Sequence, residues 1–227
     1  MFAVIFEVQP KAAKFDAYLA LAKFLKPRLE EIEGFIDIDR FASARTQGRL
    51  LSLSIWRDEK ALIRWRTHGE HHGAQERGRF EIFADYRLRV GEITADSASP
   101  HALTQQRFDE TQTGDAKAMT ITEAAARDGV TVEDLAAHFG LAAGADGLID
   151  HEAWESVYTP GKLVLLAAWR DAAAAKAWAP ALPAHHRQVR VIRDYGMSER
   201  REAPQYYPDV QQDAAQPAAP VRRAAGQ

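Results

Sequence analysis

The 227-residue chain contains no cysteine. That excludes disulfides, thiolate nucleophiles, iron–sulfur clusters and Cys-ligated zinc, so a metal would have to be held by His or carboxylate. An excess of one charge is also lacking, since 29 Lys and Arg stand against 32 Asp and Glu, a net −3. Such a balance leaves no electrostatic footprint for nucleic acid or for an anionic membrane surface. No window approaches the ~18 consecutive apolar residues of a spanning helix. The N-terminal MFAVIFEVQP has neither a basic n-region nor a small-residue cleavage site, features a secretory signal would need. We therefore expect a cytoplasmic protein with no nucleic-acid and no membrane partner. Gly-rich dinucleotide loops and P-loop patterns are absent too, which argues against built-in nicotinamide, flavin or nucleotide sites.

What is present is an internal repeat. Residues Gly34–Gln75 laid over Gly147–Gln188, an offset of 113, are identical at 15 of 42 positions, where unrelated sequence of this composition gives roughly 3. The retained pairs include Gly34/Gly147, Gly48/Gly161, Trp56/Trp169, Asp58/Asp171, Trp65/Trp178, His72/His185 and Gln75/Gln188. Beyond them Asp85-Tyr86 aligns with Asp194-Tyr195 at an offset of 109, which predicts a loss of four residues from copy two. Repeats of this kind organise a chain before any local signal does. We divide it into a first domain over 1–94, a polar linker over 95–117, a second domain over 118–203 and a Pro- and Ala-rich extended tail over 204–227.

Each copy reads strand, helix, strand, strand, helix, strand. In copy one the short apolar run Phe2–Val8 predicts a strand. Phe15, Tyr18, Leu19, Ala22, Leu25, Leu29 and Ile32 recur at helical steps on one face, with Pro27 expected to kink or restart the helix near its last turn. Phe35–Phe41 and Leu50–Trp56 flank a turn in which Gly48 can supply positive φ. Leu51, Leu53 and Ile55 alternate with Ser52, Ser54 and Trp56, giving one apolar face and one mixed face. Asp58 stands where a helix N-cap belongs, and Phe83–Val90 closes the unit. Helices on one face leave the other face of the sheet needing a partner. Two copies supply it internally, with further pairing into a homodimer still open, and the paired sheets are expected to enclose an apolar cavity.

The residues Ser54-Ile55-Trp56-Arg57-Asp58-Glu59-Lys60-Ala61-Leu62-Ile63-Arg64-Trp65, followed within seven residues by His72 and preceded by the IEGFI turn, carry a family likeness. The chain resembles the antibiotic biosynthesis monooxygenases, over most of 1–94 and more weakly over 118–197. The resemblance implies an α+β fold of two ferredoxin-like βαββαβ units in tandem, forming a pseudo-dimeric α+β barrel. It further implies an oxygenase taking a small hydrophobic aromatic or polycyclic substrate and dioxygen, without flavin or metal, because the ionised substrate reduces dioxygen directly. On that reading Trp65, His72 and Gln75 are the candidate catalytic residues, with His72 accepting the proton, and Trp56, Tyr86 and Trp178 line the substrate pocket.

Heme is the alternative cofactor, with His72 and His185 as its ligands. The heme-degrading branch carries an Asn on the first strand, a Trp on the helix after the third strand and a His ten residues later. Here Trp65 matches, whereas Glu7 and Gln75 occupy the other two positions. A non-catalytic ligand-binding barrel is a further alternative. His68 and His72 also fall at the i, i+4 spacing of helical metal pairs, but copy two has Ala181 at the first position and no metal site is assigned. The alanine-rich DAAAAKAW of copy two, against DEKALIRW, points either to one working and one supporting half or to a wider second pocket.

Overall fold

The computed structural model describes residues 1–126 and 130–204; except for Pro204, the expected tail lies outside them. Eight strands close a barrel in the order β1-β3-β2-β6-β7-β5-β8-β4. They are β1 (Phe2–Pro10), β2 (Phe35–Ser43), β3 (Leu50–Trp56), β4 (Phe83–Asp96), β5 (Ala118–Ala125), β6 (Leu148–Ser156), β7 (Lys162–Trp169) and β8 (His185–Gly196). All neighbouring pairs are antiparallel, and the order 2-3-1-4 recurs as 6-7-5-8. The joins are β2 with β6 and β4 with β8, so among the described residues no edge strand is left unpaired.

Helix α1 (Phe15–Glu30) buries Tyr18, Ala22, Leu25 and Leu29 against the outside of the first four strands. Pro27 does not break it; the helix runs through to Glu30. In a last turn the proline ring costs one backbone hydrogen bond and has few helical residues left to disturb. Helix α2 (Glu59–Thr67) starts at Asp58, whose side chain accepts from the Ala61 amide at 2.9 Å. His68 is extended and separates α2 from α3 (Gly69–Arg77), which a π turn, Gly78–Ile82, joins to β4. On the second half the helices are short: α4 (Leu135–His138) and α5 (Ala172–Ala177), the latter capped by Asp171 at 2.8 Å from the Ala174 amide.

The two halves share one close packing contact. Gly34 and Gly147 both have positive φ, and a Cβ on either would come within 2.7 Å of Ala61 or 2.4 Å of Ala174, respectively. Only glycine fits a left-handed backbone pressed this tightly against a helix.

Alternation along the strands decides what faces inward. Ala3, Ile5, Leu51, Leu53 and Ile55 meet Met119, Ile121, Val164, Leu166 and Val189 inside the barrel, where Phe41 and Trp154 also pack. Among the described residues the expected apolar cavity between the sheets is not found: buried apolar side chains from both halves pack together in the interior. A polar recess of about 100 Å³ lies beside Glu7 and Arg89. Glu7 is ion-paired there with Arg49 and Arg89, and Asp194 with Arg87 and Arg89.

Register also corrects the repeat. Ala3 faces Ile55 and Gly91, while Met119 faces Ala168 and Val189. Ile55 and Ala168 keep the 113 offset, but Gly91 and Val189 are only 98 apart. Copy two has thus lost far more than four residues, namely the counterpart of α3 and the π turn. His72 sits on α3 whereas His185 opens β8, so their alignment is a coincidence of sequence.

The expected first boundary falls short as well, since β4 continues to Asp96. The polar segment after it is docked. Glu92 accepts from the backbone amides of Gln106 and Arg107, and the Thr111 amide donates to the Val191 carbonyl at 2.9 Å. No helix among the described residues is long and apolar enough to cross a membrane.

Candidate active site

A larger space lies outside the barrel, between the first four strands and helices α1, α2 and α3. It is a cavity of about 510 Å³. Its floor is two rows of the sheet read across the register. Arg40 lies opposite Ser52, Ser52 opposite Phe6, and Phe6 opposite Leu88; in the next row come Ile38, Ser54, Val4 and Val90. The polar floor residues Arg40, Ser52 and Ser54 therefore lie on the β2 and β3 side, and the β1 and β4 side is wholly apolar.

This is the mixed face noted in β3. Helices cover it, so Ser52 and Ser54 are buried at 9% and 7% exposure even though they are polar. The Ser54 hydroxyl accepts from Trp56 Nε1 at 2.9 Å, and Phe35 meets the Trp56 ring edge-on at 5.4 Å, which fixes the indole at one end of the cavity.

The roof comes from Tyr18, Ala22 and Leu25 of α1, Leu62 and Trp65 of α2, and His71, His72 and Gln75 of α3. Phe80 and Tyr86 stand at the other end. Tyr195 and Arg200 reach in from the second half, and the Arg200 guanidinium donates to the Tyr86 hydroxyl. Among the predicted residues, Trp56, Trp65, His72, Gln75 and Tyr86 thus border one cavity.

Trp178 and His185 do not. Trp178 stacks on Trp169 at 5.9 Å in the second half, and His185 Nε2 lies 2.8 Å from Asp96 Oδ1 at the β4–β8 joint. The extended His68 also separates α2 from α3, so the His68 and His72 pair does not lie on one continuous helix. No group of three or more His, Cys, Asp or Glu suited to a metal occurs among the described residues.

His71 is the residue that sequence reasoning passed over. Its ring stacks on Trp65 at 4.2 Å, nearly parallel, and its Nδ1 lies 2.9 Å from the Trp65 carbonyl oxygen. A carbonyl can only accept, so the proton resides on Nδ1 and Nε2 is left with its lone pair. The Gln75 amide nitrogen is 3.4 Å from the same Nδ1, a longer contact between two donors that contributes little. Burial lowers the His71 pKa to about 4, with the Trp65 carbonyl opposing and His68 and His72 adding to the shift. The imidazole is therefore neutral at physiological pH. His72, one residue on, places Nε2 3.8 Å from Glu76 Oε1.

The heme-degrading arrangement is not assembled. Glu7 points into the barrel and away from the cavity, leaving Phe6 and Val4 as the β1 residues that line it, and Gln75 holds the position where that branch has His. His185, the second expected ligand, lies elsewhere.

Residues 1–77 match the family model for antibiotic biosynthesis monooxygenase. Over 216 residues the chain is 41% identical to the jasmonate monooxygenase ABM of Pyricularia oryzae, covering 92% of this chain and 99% of that protein. The YqjZ protein of Bacillus subtilis is 29% identical over 92 residues, which is 40% of this chain and 78% of its own. A crystal structure of an anthrone oxidase-like protein aligns over 90% of this chain and 96% of its own, at 14% identity and a TM-score of 0.36. On its near full-length likeness to the Pyricularia oryzae protein, the chain belongs to the antibiotic biosynthesis monooxygenase family and is a monooxygenase.

Proposed function

We propose that the first-half cavity binds a hydrophobic ring compound and promotes its oxidation by dioxygen without flavin or metal. The observation that carries this is the cavity itself: about 510 Å³, walled largely by apolar side chains, with a neutral imidazole held against an indole. The two four-strand halves are read as tandem ferredoxin-like units, the first housing the site and the second completing the barrel.

The chemistry asks little of the protein. A substrate with an acidic C–H or O–H, such as a phenol or a methylene beside a ring ketone, gives its proton to His71 Nε2. The resulting carbanion or oxyanion supplies the electrons to dioxygen. When a methylene becomes a carbonyl, one oxygen atom enters the product and the other leaves as water, so the substrate provides all the reducing equivalents. Trp65 and Trp56 would hold the ring, and Ser52 and Ser54 would donate to a developing oxyanion. We assign proton acceptance to His71 in place of His72, because the Trp65 carbonyl sets its tautomer; His72 and Gln75 then form the rim. The relative named for jasmonate, a ring ketone, extends the candidate class from aromatic to alicyclic substrates.

Oxygen uptake with a panel of hydroquinones, anthrones and ring ketones, with isotopic dioxygen to follow the label, tests the reading. His71→Ala is expected to lower kcat/KM by roughly 10²–10⁴-fold, the usual range for a general base. Failure of every substrate to consume oxygen would refute it.

A further inference from the structure

The cavity floor contains a cation with no anion. Arg40 is 8% exposed, forms no ion pair among the described residues, and its Nε has no hydrogen-bond partner. Its polar neighbours are the phenols of Tyr18 and Tyr158, the latter hydroxyl 3.4 Å from Nη1. A guanidinium cannot shed its proton to relieve burial, as a lysine can. A buried unpaired charge is costly and is normally matched by a partner.

The surroundings favour an anion. Lys26, Arg66, Arg79 and Arg200 line the same cavity, against Glu76 as its carboxylate, although the chain as a whole is net negative. Tyr18 is a protonated donor as well, since burial raises its pKa while Arg40 opposes. The equivalent of Arg40 in the second half, at the 113 offset, is Ala153, and there Leu163, Leu165 and Trp169 pack against Leu135, Phe139 and Ala174.

We propose that Arg40 is the anchor for a carboxylate on the substrate, so that this enzyme selects hydrophobic ring acids over their neutral counterparts. The acid group would sit over Arg40, with the ring lying across Phe6, Val4 and Leu88 toward Trp65. A planar guanidinium suits this because it can donate two parallel hydrogen bonds to one carboxylate. The proposal rests on reading the cavity as the substrate site and adds a substrate class to it.

Binding of jasmonate and of methyl jasmonate, followed by tryptophan fluorescence, provides the test. In the unaltered protein the acid should bind roughly 10- to 100-fold tighter than the ester, the worth of a hydrogen bond to a charged group. Arg40→Gln should abolish that preference, and Arg40→Lys should retain part of it. Equal affinity for acid and ester in the unaltered protein, or absence of binding by both, overturns the proposal whether or not the variants fold. So does an undiminished preference in a folded Arg40→Gln protein. Oxygen uptake is scored separately: a protein that prefers the acid yet consumes no oxygen retains the anchor and loses the oxidation reading.

Discussion

The two halves of the barrel share a strand order and differ in what lies on the outer face of their sheets. In the first half, Arg40, Ser52 and Ser54 face a helical roof that stands clear of them and leaves a cavity. At the matching positions the second half has Ala153, Leu165 and Ala167. There Leu163, Leu165 and Trp169 pack directly under Leu135, Phe139, Ala174 and Ala175, and Trp178 lies on Trp169 in the region where the first half is hollow. One half is built as a solid support and the other as a container. Polarity under a helix, rather than repetition of the tryptophans, marks the container.

Substitutions at matched positions should break or sharpen this contrast. The largest effect is expected in the support. Trp169→Ala removes a ring that is 1% exposed and should cost roughly 3–5 kcal/mol, seen as an early midpoint in chemical denaturation; a loss under 1 kcal/mol would mean the second half is loosely packed.

Acid should act on the container. The folded pKa of His71 is lowered to about 4 by burial, so the unfolded chain takes up a proton first as pH falls below ~6.5. Stability contributed by the neutral imidazole is present above that value and lost between it and about 4, up to roughly 3 kcal/mol. His71→Gln should flatten this part of the stability-against-pH curve; an unchanged slope would contradict the buried neutral tautomer.

A smaller change is expected from Ser52→Leu, which copies Leu165 into the cavity floor. It should stabilise by about 1–2 kcal/mol through apolar burial while weakening ligand binding, and a destabilised variant would mean that the hydroxyl is needed by the fold. Smallest of all, Asp58→Ala and Asp171→Ala should each cost about 1 kcal/mol, since both cap their helices in the same way.

Much of this was legible in the residues. The alternation of Leu51, Leu53 and Ile55 with Ser52, Ser54 and Trp56 marked both faces of β3, and Asp58 read correctly as a cap. Gly48 and Gly161 both adopt positive φ at their turns. What was not legible follows from physics that acts at a distance in sequence. Identity at His72 and His185 could not reveal that the intervening α3 had been deleted, because strand register depends on partners far along the chain. The break at His68 changed which histidine meets Trp65. Arg40 lies inside the expected strand Phe35–Phe41 with nothing local to single it out, because its burial comes from α1 and its neighbour Ser52 from cross-strand register.

Paired substitution of the matching tryptophans tests the division of labour most directly. Oxygen uptake and ligand fluorescence would be compared in Trp65→Ala and Trp178→Ala at a temperature where circular dichroism shows both folded. The account predicts that activity falls by about 100-fold or more in Trp65→Ala and stays within a few-fold in Trp178→Ala. Equal losses in the two, or a loss confined to Trp178→Ala, would contradict a working site in the first half.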